Sequence, residues 1–277
     1  MSDHPFDPAP TTFLDHAVLT AHGWDASWES AFASLAAPGS VPGRVLRAER
    51  GACRVITPGG PLRVELTSRL TPDATPTTGD WLAVLPAADG STARLDTLLP
   101  RRTEVARGGP DGGSSRQVLA ANVDTLVIAV SLATDLRLNG LERLLALAWE
   151  SGARPVVALT KADAVESTDA ALASLGTVAV GVDVVVTSAL SGVGVDALRA
   201  VVTGTVALLG PSGAGKSSLG NALLGADLLD TGAVRDADGR GRHTTAWRAL
   251  LPLPGGGVLL DTPGLRSLTL NGGGEGL

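Results

Sequence analysis

The chain has 277 residues, 44% of them hydrophobic, a mean hydropathy of +0.23 and a formal net charge of −6. That length holds two domains with their own cores, the apolar content excludes a disordered chain, and the acidic balance excludes a uniformly basic nucleic-acid coat. Cys53 is the only cysteine, which excludes an internal disulfide and a cysteine-built zinc site.

No run approaches the roughly 18 apolar residues of a membrane helix; residues 123–132 come nearest and are interrupted by Asp124. The first residues, Met1-Ser-Asp-His-Pro-Phe-Asp-Pro8, have neither a basic start nor an apolar run. A cytoplasmic protein without a membrane partner is therefore expected.

Residues 1–40 contain Pro5, Pro8, Pro10 and Pro38, with a short helical pattern near 27–36, and read as an N-terminal extension. Residues 41–106 read as all-β. Runs at 44–48, 53–57, 62–66 and 80–85 alternate apolar and polar side chains between the turn formers Gly51, Pro58-Gly59-Gly60, 72–79 and Asp89-Gly90. About five short strands in that space predict a small barrel, of OB or SH3-like type. Residues 41–107 carry ten arginines against seven acidic residues, whereas the rest of the chain carries twelve basic against twenty-one acidic. A mildly basic barrel on an acidic neighbour suits contact with RNA phosphates.

Residues 107–117, rich in glycine and serine, read as a linker. From 118 to 277 the pattern alternates strand and helix. Strands are expected at 123–131, 155–159, 182–186, 206–209 and 257–260, with helices at 195–202 and 217–224. Another helix is expected to start in a capping box of Asn139 and Glu142, bury Leu141, Leu144, Leu145 and Ala148, and stop at Gly152. This predicts a doubly wound α/β domain, whose ligands bind at the carboxyl ends of the strands.

Its motifs point to a nucleotide. Gly210-Pro-Ser212-Gly213-Ala214-Gly215-Lys216-Ser217, followed by Ser218, matches GxxxxGK[ST] between a predicted strand and helix. The glycines let backbone N–H groups turn inward on a β-phosphate, Lys216 neutralises phosphate oxygens, and Ser217 offers a hydroxyl to Mg²⁺. Asp261-Thr-Pro-Gly264 is a DxxG element. Asp261 is placed to hold the magnesium through water, and the Gly264 amide to meet the γ-phosphate.

Thr160-Lys161-Ala-Asp163 is close to NKxD, in which a carboxylate accepts both N–H groups of guanine. Thr160 stands where that pattern has asparagine; its hydroxyl can still make one bond, but loss of the loop-bracing carboxamide predicts weaker nucleotide affinity with guanine preference retained. Ser188-Ala189-Leu190, after Thr187, matches a loop whose amide touches the guanine O6. Gly241-Arg-His243-Thr244-Thr245 occupies the switch position, with Thr245 a magnesium ligand and His243 a candidate to orient the attacking water. Leu265 stands where a water-positioning glutamine occurs in Ras-like enzymes, so unassisted turnover should be slow. The chain has twenty arginines and only two lysines, Lys161 and Lys216, both within these motifs.

The base-reading motif precedes the phosphate loop, the reverse of an ordinary GTPase. This order, TKAD, SAL, GPSGAGKSS, GRHTT and DTPG behind a barrel, resembles the RsgA (YjeQ) family of circularly permuted GTPases over roughly residues 41–270. The resemblance implies an OB barrel, GTP and GDP with Mg²⁺, and partners in the small ribosomal subunit and its rRNA. It further implies that ribosome contact stimulates hydrolysis in late subunit maturation; a monomer is expected. It also implies a zinc-holding helical domain after DTPG, whose ligands are absent from this sequence. Nucleotide binding is therefore expected to survive better than ribosome-coupled output. The alternatives are a nucleotide-binding module with little hydrolysis and another P-loop enzyme using ATP, the latter disfavoured by Asp163.

Overall fold

The computed structural model describes residues 17–66, 71, 74–87, 92–108, 116–229, 250–261 and 265. Two short helices, α1 (Ala17–Thr20) and α2 (Ala26–Leu35), lead into β1 (Val41–Glu49), β2 (Ala52–Thr57), β3 (Gly60–Glu65), β4 (Trp81–Leu85) and β5 (Ala93–Leu98). These five strands close a barrel in the order β1-β2-β3-β5-β4. β1 is long enough to serve two neighbours, pairing β4 through Val41–Arg44 and β2 through Arg44–Glu49, with a bulge between Val45 and Arg47. The parallel register Val64↔Ala93 between β3 and β5 completes the ring in the OB arrangement. Its interior is filled by Val45, Cys53, Val55, Val64, Leu82 and Val84, all fully buried. Burial pushes the Cys53 thiol up to about 12, so this cysteine packs as a small apolar group.

Val45 points into the barrel, and Arg44, on the opposite face of β1, is covered by Trp81 and other parts of the chain, so both are shielded from solvent. Arg44 is thus no part of a basic surface. Arg101 is also turned inward, donating to both oxygens of the buried Asp80 at 2.8 Å. The exposed basic face of the barrel is smaller than the arginine count implies.

The N-terminal helices pack on the barrel through Leu19, Trp24, Trp28, Trp81 and Leu99. Trp24 meets Trp81 edge-on at 4.8 Å. Asp25 caps α2, accepting from the Ser27 and Trp28 amides, and takes a two-pronged bond from Arg102, whose guanidinium lies 4.0 Å from the Trp28 ring centroid. Arg102 and these amides hold the Asp25 carboxyl at about 2, well below its ordinary 3.8. Asp25→Ala is expected to cost about 1 kcal/mol at neutral pH. Because the folded carboxyl is the more acidic one, the contribution is complete above its ordinary value and vanishes as pH falls through about 2. Denaturant titrations of both proteins at pH 7 and pH 2 check this; the gap should close in acid.

After the barrel, β6 (Glu104–Gly108) and β7 (Arg116–Ala121) form an antiparallel ribbon. The stretch that reads as a linker is therefore flanked on both sides by paired strands. Then come β8 (Thr125–Ser131), α3 (Leu138–Ser151), β9 (Arg154–Thr160), α4 (Asp169–Leu175), β10 (Asp183–Val186), α5 (Val195–Val201), β11 (Thr205–Leu209), α6 (Lys216–Leu224), β12 (Leu250–Pro252) and β13 (Val258–Leu260). They build a sheet of order β10-β9-β8-β11-β13-β12, parallel except for β12. β8, β9 and β11 are buried almost throughout, as strands covered on both faces must be.

On α3, Leu141, Leu144, Leu145 and Ala148 form the buried stripe, and Gly152 ends the helix in the left-handed region at φ 81°. Its start corrects the expected capping box. The helix begins at Leu138 with Arg137 as its cap and no side-chain cap bond, which leaves Asn139 exposed inside the first turn. Burial of Gly140 and Leu141 sets the phase, and an asparagine already in helical geometry cannot serve as its cap. Among the described residues no helix is long and apolar enough to cross a membrane.

Candidate functional site

Register gathers the motifs at one edge. Ser131 pairs with Thr160, Val186 with Leu159, Leu209 with Ile128 and Leu260 with Ala207. The strands run parallel, so the loops after β9, β10, β11 and β13 leave the same end of the sheet. The strand order reverses between β8 and β11, where open α/β sheets leave a crevice. Motifs separated by up to about a hundred residues therefore converge, and their order along the chain does not matter.

The loop after β11 turns sharply. Gly210 has φ 138°, and a methyl group there would lie 2.4 Å from the Ala129 carbonyl oxygen, so no larger residue fits. Ser212 and Gly213 form the exposed arch, Ala214 is buried, and Gly215 (φ 83°) opens α6. Lys216 Nζ reaches back to donate to the carbonyl oxygens of Gly210 (2.7 Å) and Pro211 (2.8 Å), bringing its ammonium over the loop. Ser217 and Ser218 follow in the first turn of α6, whose N-terminus favours anions.

Thr160 Oγ1 donates to the Ala214 carbonyl oxygen at 2.7 Å. This is the one bond still open to a threonine, and through it the hydroxyl ties the base-reading loop directly to the phosphate loop. A methyl group on Gly215 would lie 3.6 Å from Thr160 Oγ1 and 4.0 Å from Lys161 Cε, so the two loops touch. Lys161 adopts φ 59°, rare for a residue with a side chain, and the turn that follows is held by the Ala162 amide on the Thr187 carbonyl oxygen (3.1 Å).

Asp163 accepts from the Ser188 hydroxyl. Ser188 is fully buried, with its amide on the Val193 carbonyl oxygen (2.8 Å), so it orients the carboxylate from behind. Ala189 and the 86% exposed Leu190 form the lip of the pocket.

These loops enclose one cavity of about 460 Å³, lined by Thr160, Lys161, Asp163, Thr187, Ala189 and Leu190 on one side and by Gly215, Ser218 and Leu219 on the other. Its floor comes from Asn221, Ala222, Gly225, Ala226 and Asp227, which no motif pointed to. Asn221 pins that floor, accepting from the Leu228 and Leu229 amides and donating to the Leu229 carbonyl oxygen. A lone asparagine on the buried face of an apolar helix was the signal available. A cavity of about 490 Å³ at the start of α3, lined by Arg137, Asn139 and Arg143, contains none of the motif residues, so size alone does not mark the site.

Beside the phosphate loop, Lys216, Ser217 and Asp261 line one crevice with Leu208, Leu229, Leu259 and Leu260. A hydroxyl and a carboxylate are hard oxygen donors that suit Mg²⁺, a cation that completes its shell with phosphate oxygens and water. Among the described residues no group of three or more His, Cys, Asp or Glu is placed to hold a metal ion. Leu265 is 2% exposed and packs into the core, so its side chain is not available to orient water. Gly264, His243, Thr244 and Thr245 lie outside the described residues.

A family model for the RsgA GTPase matches residues 98–271. The small ribosomal subunit biogenesis GTPase RsgA of Streptomyces coelicolor is 53% identical over 271 residues, covering 95% of this chain and 73% of that protein. RsgA 2 of Lactiplantibacillus plantarum is 40% identical over 239 residues, covering 84% of this chain and 67% of that protein. Among solved structures, YjeQ from Thermotoga maritima superposes with a TM-score of 0.61 at 24% identity, covering 84% of this chain and 77% of that one. The circularly permuted GTPase YloQ gives 0.57 at 20% identity, covering 83% and 74%. These two likenesses bear on the fold and agree with the permuted strand order. With a family model spanning more than half of its length and a relative identical at every second position, the chain belongs to the RsgA GTPase family.

Proposed function

We propose that the chain binds GTP in the cavity shared by the Asp163 and Gly210–Ser217 loops, hydrolyses it to GDP and phosphate, and does so in late maturation of the small ribosomal subunit, whose contact stimulates turnover. The observation that carries the nucleotide reading is that the Asp163 cavity is walled opposite by Gly215 and Ser218, where the phosphate loop enters α6, with Lys216, Ser217 and Asp261 in the crevice beside it. Asp163 selects guanine, the loop amides and Lys216 hold the phosphates, and Ser217, Asp261 and Thr245 supply protein oxygens for Mg²⁺. The ion, when bound, offsets charge on the phosphate oxygens. His243 orients the water and the Gly264 amide meets the γ-phosphate. With no polar side chain at Leu265, intrinsic turnover should fall at about 10⁻⁴ to 10⁻² s⁻¹.

The barrel supports an RNA partner in one specific way. Arg47 pairs across the strands with Arg54, and Arg54 with Arg63, which sets three exposed arginines in a row over β1, β2 and β3. Glu49 and Glu65 flank the row at 3.4 and 3.7 Å. Like charges facing each other directly across strands are destabilising, and a polyanionic partner relieves that. We assign residues 41–106 to this RNA-facing barrel and 118–277 to the nucleotide domain.

Single-turnover hydrolysis with and without purified small subunits tests the function. Subunits should accelerate GTP cleavage, and subunit binding should weaken steeply with salt, with a shallower slope when Arg47, Arg54 and Arg63 are all glutamine. GTP that binds but is not cleaved faster with subunits would leave only a nucleotide-binding module.

A further inference from the structure

Among the described residues, the apolar core of the barrel is separate from the apolar layers on the two faces of the large sheet. Leu46 is the barrel side chain packed against one of those layers. Much of the remaining tie is polar and centres on Arg44, which is 1% exposed.

Its guanidinium donates to four oxygens from separate parts of the chain. They are the His22 carbonyl after α1, the Gly79 carbonyl before β4 (3.3 Å), the Asn122 carbonyl between β7 and β8 (3.3 Å), and Thr205 Oγ1 (2.7 Å). Trp81 covers it, with its ring centroid 5.1 Å away. Burial pulls the guanidinium down to about 10, which leaves it charged at neutral pH.

Thr205 is the point of contact that matters. It opens β11, and five residues later the chain reaches Gly210, where the phosphate loop begins. It also pairs with Val258, the start of the strand that leads to Asp261. Asp124 locks Thr205 from the other side, accepting from its amide at 2.6 Å and donating its own amide to the Thr205 carbonyl at 2.8 Å. Unfolding either half alone would strand a buried cation with part of its acceptors removed, which is strongly unfavourable.

We propose that Arg44 is a positioning residue that makes the barrel and the nucleotide sheet one cooperative unit, so that nucleotide bound at the far end of β11 stabilises the barrel. This rests on the reading that the cavity takes GDP, and a calorimetric GDP titration checks that reading separately. The coupling itself is read by amide hydrogen exchange at Val45 and Leu99, barrel residues whose amides donate to Asp80 and Trp81 carbonyls. In the wild-type chain, GDP at 100 times its Kd should slow their exchange by about 100-fold, the full linkage expected of one unit. In Arg44→Met the slowing should shrink to about threefold or less, while Val206 and Leu209 keep theirs.

A side chain that merely packs would lower protection with and without GDP alike, leaving the ratio unchanged. Should Arg44→Met fail to fold, Thr205→Val removes only the acceptor on β11 and should bring the slowing below about tenfold. GDP that binds without slowing the wild-type barrel amides overturns the coupling, as does full slowing in Thr205→Val. Absence of GDP binding by the wild-type chain overturns the nucleotide reading and the coupling together.

Discussion

Lys216→Ala is expected to weaken GTP and GDP binding by at least about 30-fold and to leave the fold almost untouched. The ammonium lies over the phosphate loop, bonded to the carbonyl oxygens of Gly210 and Pro211. Both acceptors belong to a partly exposed loop and can take water in its place, so stability should change by roughly 0.5 kcal/mol or less. A bound polyphosphate has no such substitute, and removing one partner of a desolvated charge pair costs about 2–5 kcal/mol. Lys216→Arg should rescue little, because a planar fork on a longer stem does not fit where a compact point charge sits between loop carbonyls. Composition points the same way, since a chain with twenty arginines keeps lysine here and at position 161. Titration with a fluorescent GDP analogue, paired with thermal unfolding, reads both quantities. Loss of binding together with a large fall in melting temperature would assign Lys216 a structural role instead.

The parts of this site legible in sequence are those in which a local pattern dictates its own geometry. A strand, a glycine-rich turn and a helix start at 205–224 can hardly fold otherwise, and the apolar runs of β8, β9 and β11 announce a sheet buried on both faces. Convergence of the motifs followed from topology, because parallel strands of one doubly wound sheet must present their loops at one edge. What stayed hidden depends on contacts across long separations or on a shift of phase. The Thr160 hydroxyl meets a carbonyl 54 residues away, so its function as a brace was invisible until β9 and β11 were seen on either side of β8. Arg44 sits in an alternating run on the face opposite the barrel core, and it is buried there by Trp81, His22 and Thr205, which come from distant parts of the chain. The β6–β7 ribbon escaped because the glycine and serine content of its connecting segment reads as linker, whichever strands flank it. The Asn139 box had the right letters in the wrong phase, with the apolar stripe of α3 deciding where the helix begins.

Asp163→Asn should change which purine the pocket accepts rather than destroy the pocket. Guanine presents N1–H and the 2-amino group along one edge, and a carboxylate accepts from both. An asparagine offers one acceptor and one donor, so one guanine N–H loses its partner and faces another N–H. Leaving buried polar groups unmatched in this way discriminates by factors of about 100 or more. Xanthine carries a carbonyl where guanine has its amino group, so it supplies the acceptor that the new amide needs. GDP affinity should therefore fall at least about 100-fold while XDP affinity rises above that of the wild-type chain. The framework should persist, because asparagine keeps the oxygen that accepts from Ser188, and because the Ala162–Thr187 and Thr160–Ala214 bonds do not involve the Asp163 side chain. Competition titrations of GDP, XDP and ADP against both proteins decide the matter. A parallel loss of GDP and XDP would mean that residue 163 shapes the loop without reading the base, and ADP binding as tight as GDP binding in the wild-type chain would remove the guanine assignment altogether.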